Sequence, residues 1–335
     1  MCSLSCLCHL CQKKHKQNLY SSMVEHVQHN DGFKSMNGKD ILNFPLQVPL
    51  NVSMFDFLKD VFRKYYILLS SRDLCIRQED KELVIFVIRG LLEILNIHKT
   101  GDVIKAYKNF ETLMDTYYCD NCENRYRLPT IMLEKGYTFY RMRANKHNLN
   151  KNSEFYHLPI NERYRCSSMR FSIAGYPCFY LGYSKNVCLT EISPNGTMCG
   201  LELSNNQTNE LKILDLSFGD DQEKGNDVDK FIKAWPLIAS CYIVMANEQI
   251  NRDAIFREEY IIPQMLTAYL RHKTDYNGIR YYSTRNEELD PRGRNEKDFR
   301  NVVLFPKDVD SSGYDMKLIN RFNWFEPFNV GTIKD

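Results

Sequence analysis

The chain is 335 residues long, enough for two domains or for one large domain with an accessory piece. Hydrophobic residues make up 43% of it, which allows a sizeable core and excludes a chain disordered throughout. The formal net charge of +2 excludes a global electrostatic grip on nucleic acid, leaving room only for a local basic patch. No run of about 18 apolar residues occurs, so no membrane span is expected. Residues 1–15 lack the basic and apolar regions of a signal peptide, so the expected location is the cytoplasm. In that compartment the 12 cysteines read as thiols or metal ligands rather than disulfides.

The predicted elements begin after a polar stretch, 16–50, in which no regular structure is read. A helix is expected over 53–69, with Met54, Leu58, Val61, Tyr65 and Leu68 on one face and Ser53 with Asp56 at its start. A second is expected over 81–97, apolar on most sides and therefore buried. A third covers about 102–118, with Val103, Tyr107, Phe110 and Met114 as its stripe. The character then changes to short strands, expected at 136–143, 177–184, 198–203, 212–216, 278–282 and 301–305. A short helix follows the second strand through Glu191, and longer helices are expected over 229–242, despite Pro236, and 260–271. The fold class is therefore α+β, a mixed sheet preceded by a mainly helical part. The domains read as 1–125 (with 1–50 poorly structured or a zinc-knuckle segment), 130–310, and a tail at 311–335.

Two cysteine pairs bracket the helical part. Cys8-His9-Leu10-Cys11 and Cys119-Asp120-Asn121-Cys122 together supply four thiolates, enough for a closed tetrahedral structural Zn²⁺ site that clamps the ends of this region. The separation is far greater than in a zinc ribbon, and free thiols are the competing reading. Neither knuckle is followed by a basic recognition helix, so a nucleic-acid-reading finger is disfavoured.

Four segments of the second part occur in a telling order. They are Phe139-Tyr140-Arg141-Met142-Arg143; Arg170-Phe171-Ser172 with Gly175, Phe179-Tyr180-Leu181 and Glu191; Tyr260-Ile261-Ile262-Pro263-Gln264; and Asp275-Tyr276-Asn277-Gly278-Ile279-Arg280-Tyr281-Tyr282-Ser283. This ordered set resembles the RES domain family, named for an Arg, a Glu and a Ser that map here to Arg141, Glu191 and Ser283. The resemblance implies an ADP-ribosyltransferase-like fold and a toxin that takes NAD⁺ as substrate, breaking its nicotinamide–ribose bond.

On that resemblance Arg141, aided by Arg170, would grip the pyrophosphate, since a planar guanidinium pairs with phosphate oxygens. Tyr180 would offer a flat face to the nicotinamide or adenine ring, and Tyr140, on the opposite side of its strand, is read as core. Bond cleavage builds positive charge on the ribose, which a fixed carboxylate, Glu191, would stabilise. Ser283 would hydrogen-bond the substrate rather than attack it, because no flanking His offers a base. Gln264 would help to hold the substrate.

The acceptor stays open. Water or phosphate gives an NAD⁺ glycohydrolase or phosphorylase, and a protein acceptor gives an ADP-ribosyltransferase. A ribonuclease is disfavoured, because the helical part lacks a closely spaced Arg–His pair. A non-catalytic zinc-dependent binding module is disfavoured because Arg141, Glu191 and Ser283 are all present. The family resemblance further implies a partner antitoxin with a helix-turn-helix domain, and a homodimer is entertained.

Overall fold

The structure is a computed structural model that describes residues 44–70, 76–117, 128–144, 149–192, 195–204, 210–217, 228–245, 256–285 and 299–331, with side chains given from 232 onward in the helix that starts at 228. The chain divides into two compact units. The first draws on Met1–Pro129, Phe218–Met265 and Asp290–Gly293, and the second on Thr130–Ser217, Leu266–Leu289 and Arg294–Asp335.

The first unit is mainly helical. Helix α1 (Met54–Leu69) starts at Ser53, whose hydroxyl accepts from the Asp56 amide at 3.1 Å, so one of the orphan amides of the first turn is satisfied. It buries the expected stripe, with Phe62 and Leu69 added. Helix α2 (Gln78–Lys99) carries Glu79 and Asp80 in its first turn and His98 and Lys99 in its last, complementing the helix dipole. The helix is buried along one stripe rather than on most sides. Only Val84, Val87, Leu91, Ile94 and Leu95 form its buried apolar stripe, while Phe86 is exposed. Helix α3 (Val103–Tyr117) buries Ala106, Phe110, Leu113 and Met114, and Val103, expected on the stripe, is exposed. Gly90 explains how closely α3 approaches α2: a Cβ there would lie 2.8 Å from a Leu113 methyl.

Two short strands, β1 (Leu46–Val48) and β7 (Ile243–Met245), pair in parallel in this unit. The first lies where no regular structure was expected. It is three residues long between Pro45 and Pro49, and its partner lies far along the chain, so no local pattern announces it.

The second unit is a nine-stranded mixed sheet ordered β10-β5-β3-β4-β9-β8-β6-β2, with β11 also paired to β5. The strands are β2 (Thr130–Leu133), β3 (Thr138–Ala144), β4 (Phe179–Gly182), β5 (Gly196–Leu203), β6 (Leu211–Asp215), β8 (Gly278–Tyr282), β9 (Arg300–Leu304), β10 (Phe322–Trp324) and β11 (Phe328–Val330). Only β6 and β8 run parallel; the other pairings are antiparallel. The six expected strands are all present, with starts and ends shifted by two residues or fewer.

Because side chains alternate across a strand, one face of the sheet collects Phe139, Phe179, Leu181, Val302 and Leu304 into a core closed by Leu318 and Phe322. Each such side chain contributes roughly 1.5–3 kcal/mol when removed from water. The opposite face carries Met142 and Met198 against Val187 and Cys188 of α4 (Lys185–Glu191), with Tyr140 half-buried at that cluster. Helix α5 (Val228–Cys241) belongs to the first unit; the boundary between units falls within α6 (Ile261–Lys273); α7 (Met316–Ile319) precedes β10.

Candidate functional site

Glu191 is the last residue of α4, and the sequence places it there for local reasons. Ser184 opens the helix by accepting from the Val187 amide at 3.1 Å. Gly182, just before it, has no Cβ; one added there would lie 2.5 Å from Val187 and 2.7 Å from the Cys188 sulfur. The helix can therefore lie directly on β4, and its final residue reaches β9. There the Asn301 amide nitrogen donates to Glu191 Oε1 at 2.9 Å. Arg285 Nε stands 3.4 Å from Glu191 Oε2. The Glu191 side chain keeps 24% of its surface exposed, so its carboxylate is held and still reachable.

Arg285 belongs to the turn that follows β8, and that turn gathers two more expected residues. Ser283 is buried, and its hydroxyl accepts from the Arg285 backbone amide at 3.2 Å. Its own amide donates to the Phe299 carbonyl at 2.9 Å. Thr284 accepts from Arg170 Nη2 at 3.4 Å, at the long limit for a hydrogen bond, and Arg170 is itself buried. Glu191, Ser283 and Arg170 are thus linked through the residues 283–285 and Asn301.

Arg141 lies on β3, on the face that holds Phe139. Strands β3 and β4 pair only at Tyr140 and Gly182. Beside that single pairing Arg141 Nη1 donates to the Tyr180 carbonyl at 2.8 Å, and the guanidinium stands 4.9 Å from the Phe179 ring centre. Its Nε is buried without a hydrogen-bond partner, and among the described residues no carboxylate pairs with it. Burial pushes its pKa well below the ordinary arginine value, and the nearby Arg143 charge pushes the same way, with Cys188 opposing.

Tyr180 has a half-buried ring and a buried hydroxyl that lies toward Ser172 and Phe171 without a well-formed hydrogen bond. Burial raises its pKa well above that of a free phenol, so it stays neutral. Along β4 its side chain points away from the face of Phe179 and Leu181, toward the side of Tyr281 and Asn301. Arg141 and Tyr180 are therefore joined through main chain rather than stacked side by side. Gln264 sits in the first turn of α6, in the segment grouped with the helical unit.

Sequence reasoning missed Asn301, Thr284 and Arg285. None of the three had a sequence signal; Asn301 is simply the second of two polar residues, after Arg300, that precede the apolar run Val302-Val303-Leu304 of β9. Also missed was the buried pair of Arg280 with Asp215, with contacts of 3.0 and 2.6 Å and Ser217 as a further donor to the carboxylate. Burial pushes the Asp215 carboxyl up, and Arg280 and Ser217 together hold it below its ordinary value.

The four proposed zinc ligands, Cys8, Cys11, Cys119 and Cys122, lie outside the described residues. Among the described residues no cluster of three or more His, Cys, Asp or Glu side chains could hold a metal ion. The described cysteines form no disulfide, and burial pushes Cys178 and Cys188 up to about 12, which makes both poor nucleophiles near neutrality. No helix among the described residues is long and apolar enough to cross a membrane.

A family model described as the RES domain matches residues 138–319. A Bacillus subtilis (strain 168) protein named "Putative toxin YopC" is 28% identical over 212 residues, covering 57% of this chain and 46% of that protein. The match thus spans about half the length of that relative. No solved structure matches the chain.

Proposed function

This chain belongs to the RES domain family, and from that membership we propose that it is an enzyme that breaks the nicotinamide–ribose bond of NAD⁺. The observation that carries the reading is the Glu191 carboxylate, anchored by Asn301 and Arg285 yet partly open to solvent. In the proposed reaction the C1′–N1 bond breaks and its electron pair leaves with nicotinamide, which becomes neutral. The ribose passes through an oxocarbenium-like state, whose positive charge faces Glu191. An acceptor oxygen then bonds C1′ and gives up its proton to Glu191 or solvent.

The remaining residues fit supporting roles. Arg141 stands on the Phe139 face of the sheet, opposite the face that carries α4 and Glu191; it is assigned to the pyrophosphate on the family resemblance, and its buried Nε without a partner suits such an anionic group. Arg170 is a second guanidinium for the same substrate, and the half-buried Tyr180 ring can carry a flat base. The buried Ser283 hydroxyl supports the turn that delivers Arg285 to Glu191. Gln264, which belongs to the helical unit, is proposed as a substrate contact on the family resemblance alone. As structural metal, Zn²⁺ is proposed for Cys8, Cys11, Cys119 and Cys122 on sequence grounds alone.

The acceptor separates three outcomes of one experiment, incubation of pure protein with NAD⁺, with and without phosphate. ADP-ribose marks a glycohydrolase, ADP-ribose 1-phosphate a phosphorylase, and label transferred to protein an ADP-ribosyltransferase. NAD⁺ left intact under all conditions overturns the reading in favour of a binding module. The toxin name of the Bacillus relative suits an activity that drains NAD⁺. The family resemblance separately implies a helix-turn-helix antitoxin as partner, which co-expression and co-purification would test.

A further inference from the structure

We propose that Asn301 is a positioning residue for the reaction, fixing the Glu191 carboxylate through one oxygen so that the other faces the substrate; this rests on the reading of Glu191 given above. Strand β9 is an interior strand, and Asn301 pairs with Gly182 of β4 on one side and Tyr281 of β8 on the other. Its backbone is therefore held from both sides, and its side chain is nearly buried. An ionised carboxylate only accepts hydrogen bonds, so the contact must be made by the amide NH₂. That makes it a charge-assisted bond from a rigid donor.

The cross-strand partner explains why the contact exists. Opposite Asn301 stands Gly182, whose missing side chain leaves the seat on which α4 rests. Cys188 ties the same helix to β3 through its thiol, which donates to the Tyr140 carbonyl at 3.4 Å. Helix, seat and donor thus form one assembly that ends at Glu191. The two carboxylate oxygens are held unequally. Oε1 meets the buried amide at 2.9 Å, whereas Oε2 meets Arg285, a side chain with 62% of its surface exposed, at 3.4 Å. The exposed arm can move aside for a substrate at little cost. The buried arm cannot, so it sets the direction in which the free oxygen points.

A group that only packs would tolerate an isosteric neighbour; a donor would not. Asn301→Asp keeps the shape and loses the amide donor, placing a second acceptor against Glu191. Asn301→Ala removes donor and shape together. Both should lower kcat for NAD⁺ cleavage by roughly 10- to 100-fold, the scale of a misplaced catalytic group, with KM changed much less. In a Glu191→Ala background, Asn301→Ala should cause no further loss, since residues that act as a unit are non-additive. Thermal unfolding of each variant separates positioning from misfolding, and Asn301→Asp keeps the test usable should Asn301→Ala unfold. A folded Asn301→Asp protein with wild-type kcat, or an additive loss in the cycle, would overturn the proposal while leaving NAD⁺ cleavage intact. A wild-type protein inert toward NAD⁺ would instead sink the parent reading, and the positioning role with it.

Discussion

Two buried arginines in the sheet unit meet opposite circumstances. Arg280 has Asp215 on both prongs of its guanidinium. Arg141 has a carbonyl on one nitrogen, an aromatic ring beside it, and no carboxylate partner among the described residues. A buried charge without a partner costs several kcal/mol, and proteins keep such groups where function uses them. Replacing Arg141 with Ala should therefore weaken NAD⁺ binding and slow the reaction together, because the anionic pyrophosphate is present in ground and transition states alike. Calorimetric titration alongside steady-state kinetics checks this; an Arg141→Ala protein that binds NAD⁺ as tightly as wild type would show the residue to be structural. The sequence made Arg141 and Glu191 legible as members of an ordered motif set. It could not make Asn301 or Arg285 legible, because their importance is relational: each matters through a contact with Glu191 made across the sheet or from a turn.

Among the elements, α4 is short, seven residues, and its placement depends on the one glycine beneath it. Gly182→Ala would drive a methyl into Val187 and Cys188, a cost of about 1–3 kcal/mol for overpacking. It would also displace Glu191 from Asn301, so turnover should fall out of proportion to the loss of stability. A folded Gly182→Ala protein with full activity would contradict the view that this seat aims the carboxylate. Element by element, what could be read in advance followed from local periodicity. Strands of five to eight residues with apolar content, such as β5, β8 and β9, were readable to within a residue or two. The three-residue strands β1, β7, β10 and β11 were not, since three residues define no alternation and their partners are distant. In α3 the true stripe starts at Ala106 rather than Val103, a small rotation that a window of apolar residues does not resolve.

For the whole molecule, chain order and compact units do not coincide. Helix α5 follows the first half of the sheet in sequence yet packs in the helical unit, where Trp235 stacks on Tyr65 at 3.8 Å and Lys233 pairs with Asp80 at 2.9 Å. A chain started at Thr130 would strip Tyr65 and Asp80 from α5, exposing Trp235 and leaving Lys233 without Asp80. Such a truncation should be poorly soluble or aggregated by size-exclusion chromatography; a well-behaved monomer would contradict this account of α5. The sequence hid this arrangement because the composition shift near residue 130 marks where strands begin, not where each helix packs. The paired knuckles carry a separate expectation. Reduced, unchelated protein should hold about one zinc per chain, and Cys119→Ser should lose it; metal-free wild type would remove the zinc clamp.

The central claim is that the charge of Glu191 is used in the transition state. Glu191→Gln keeps the shape, can still accept from Asn301, and removes the charge. The most direct measurement is the rate of nicotinamide release from NAD⁺ by wild type and Glu191→Gln under identical conditions, with NAD⁺ affinity measured in parallel. The account predicts a loss in turnover of roughly 10²-fold or more, the scale for a preorganised electrostatic group, with affinity changed far less. Equal rates for the two proteins would contradict it.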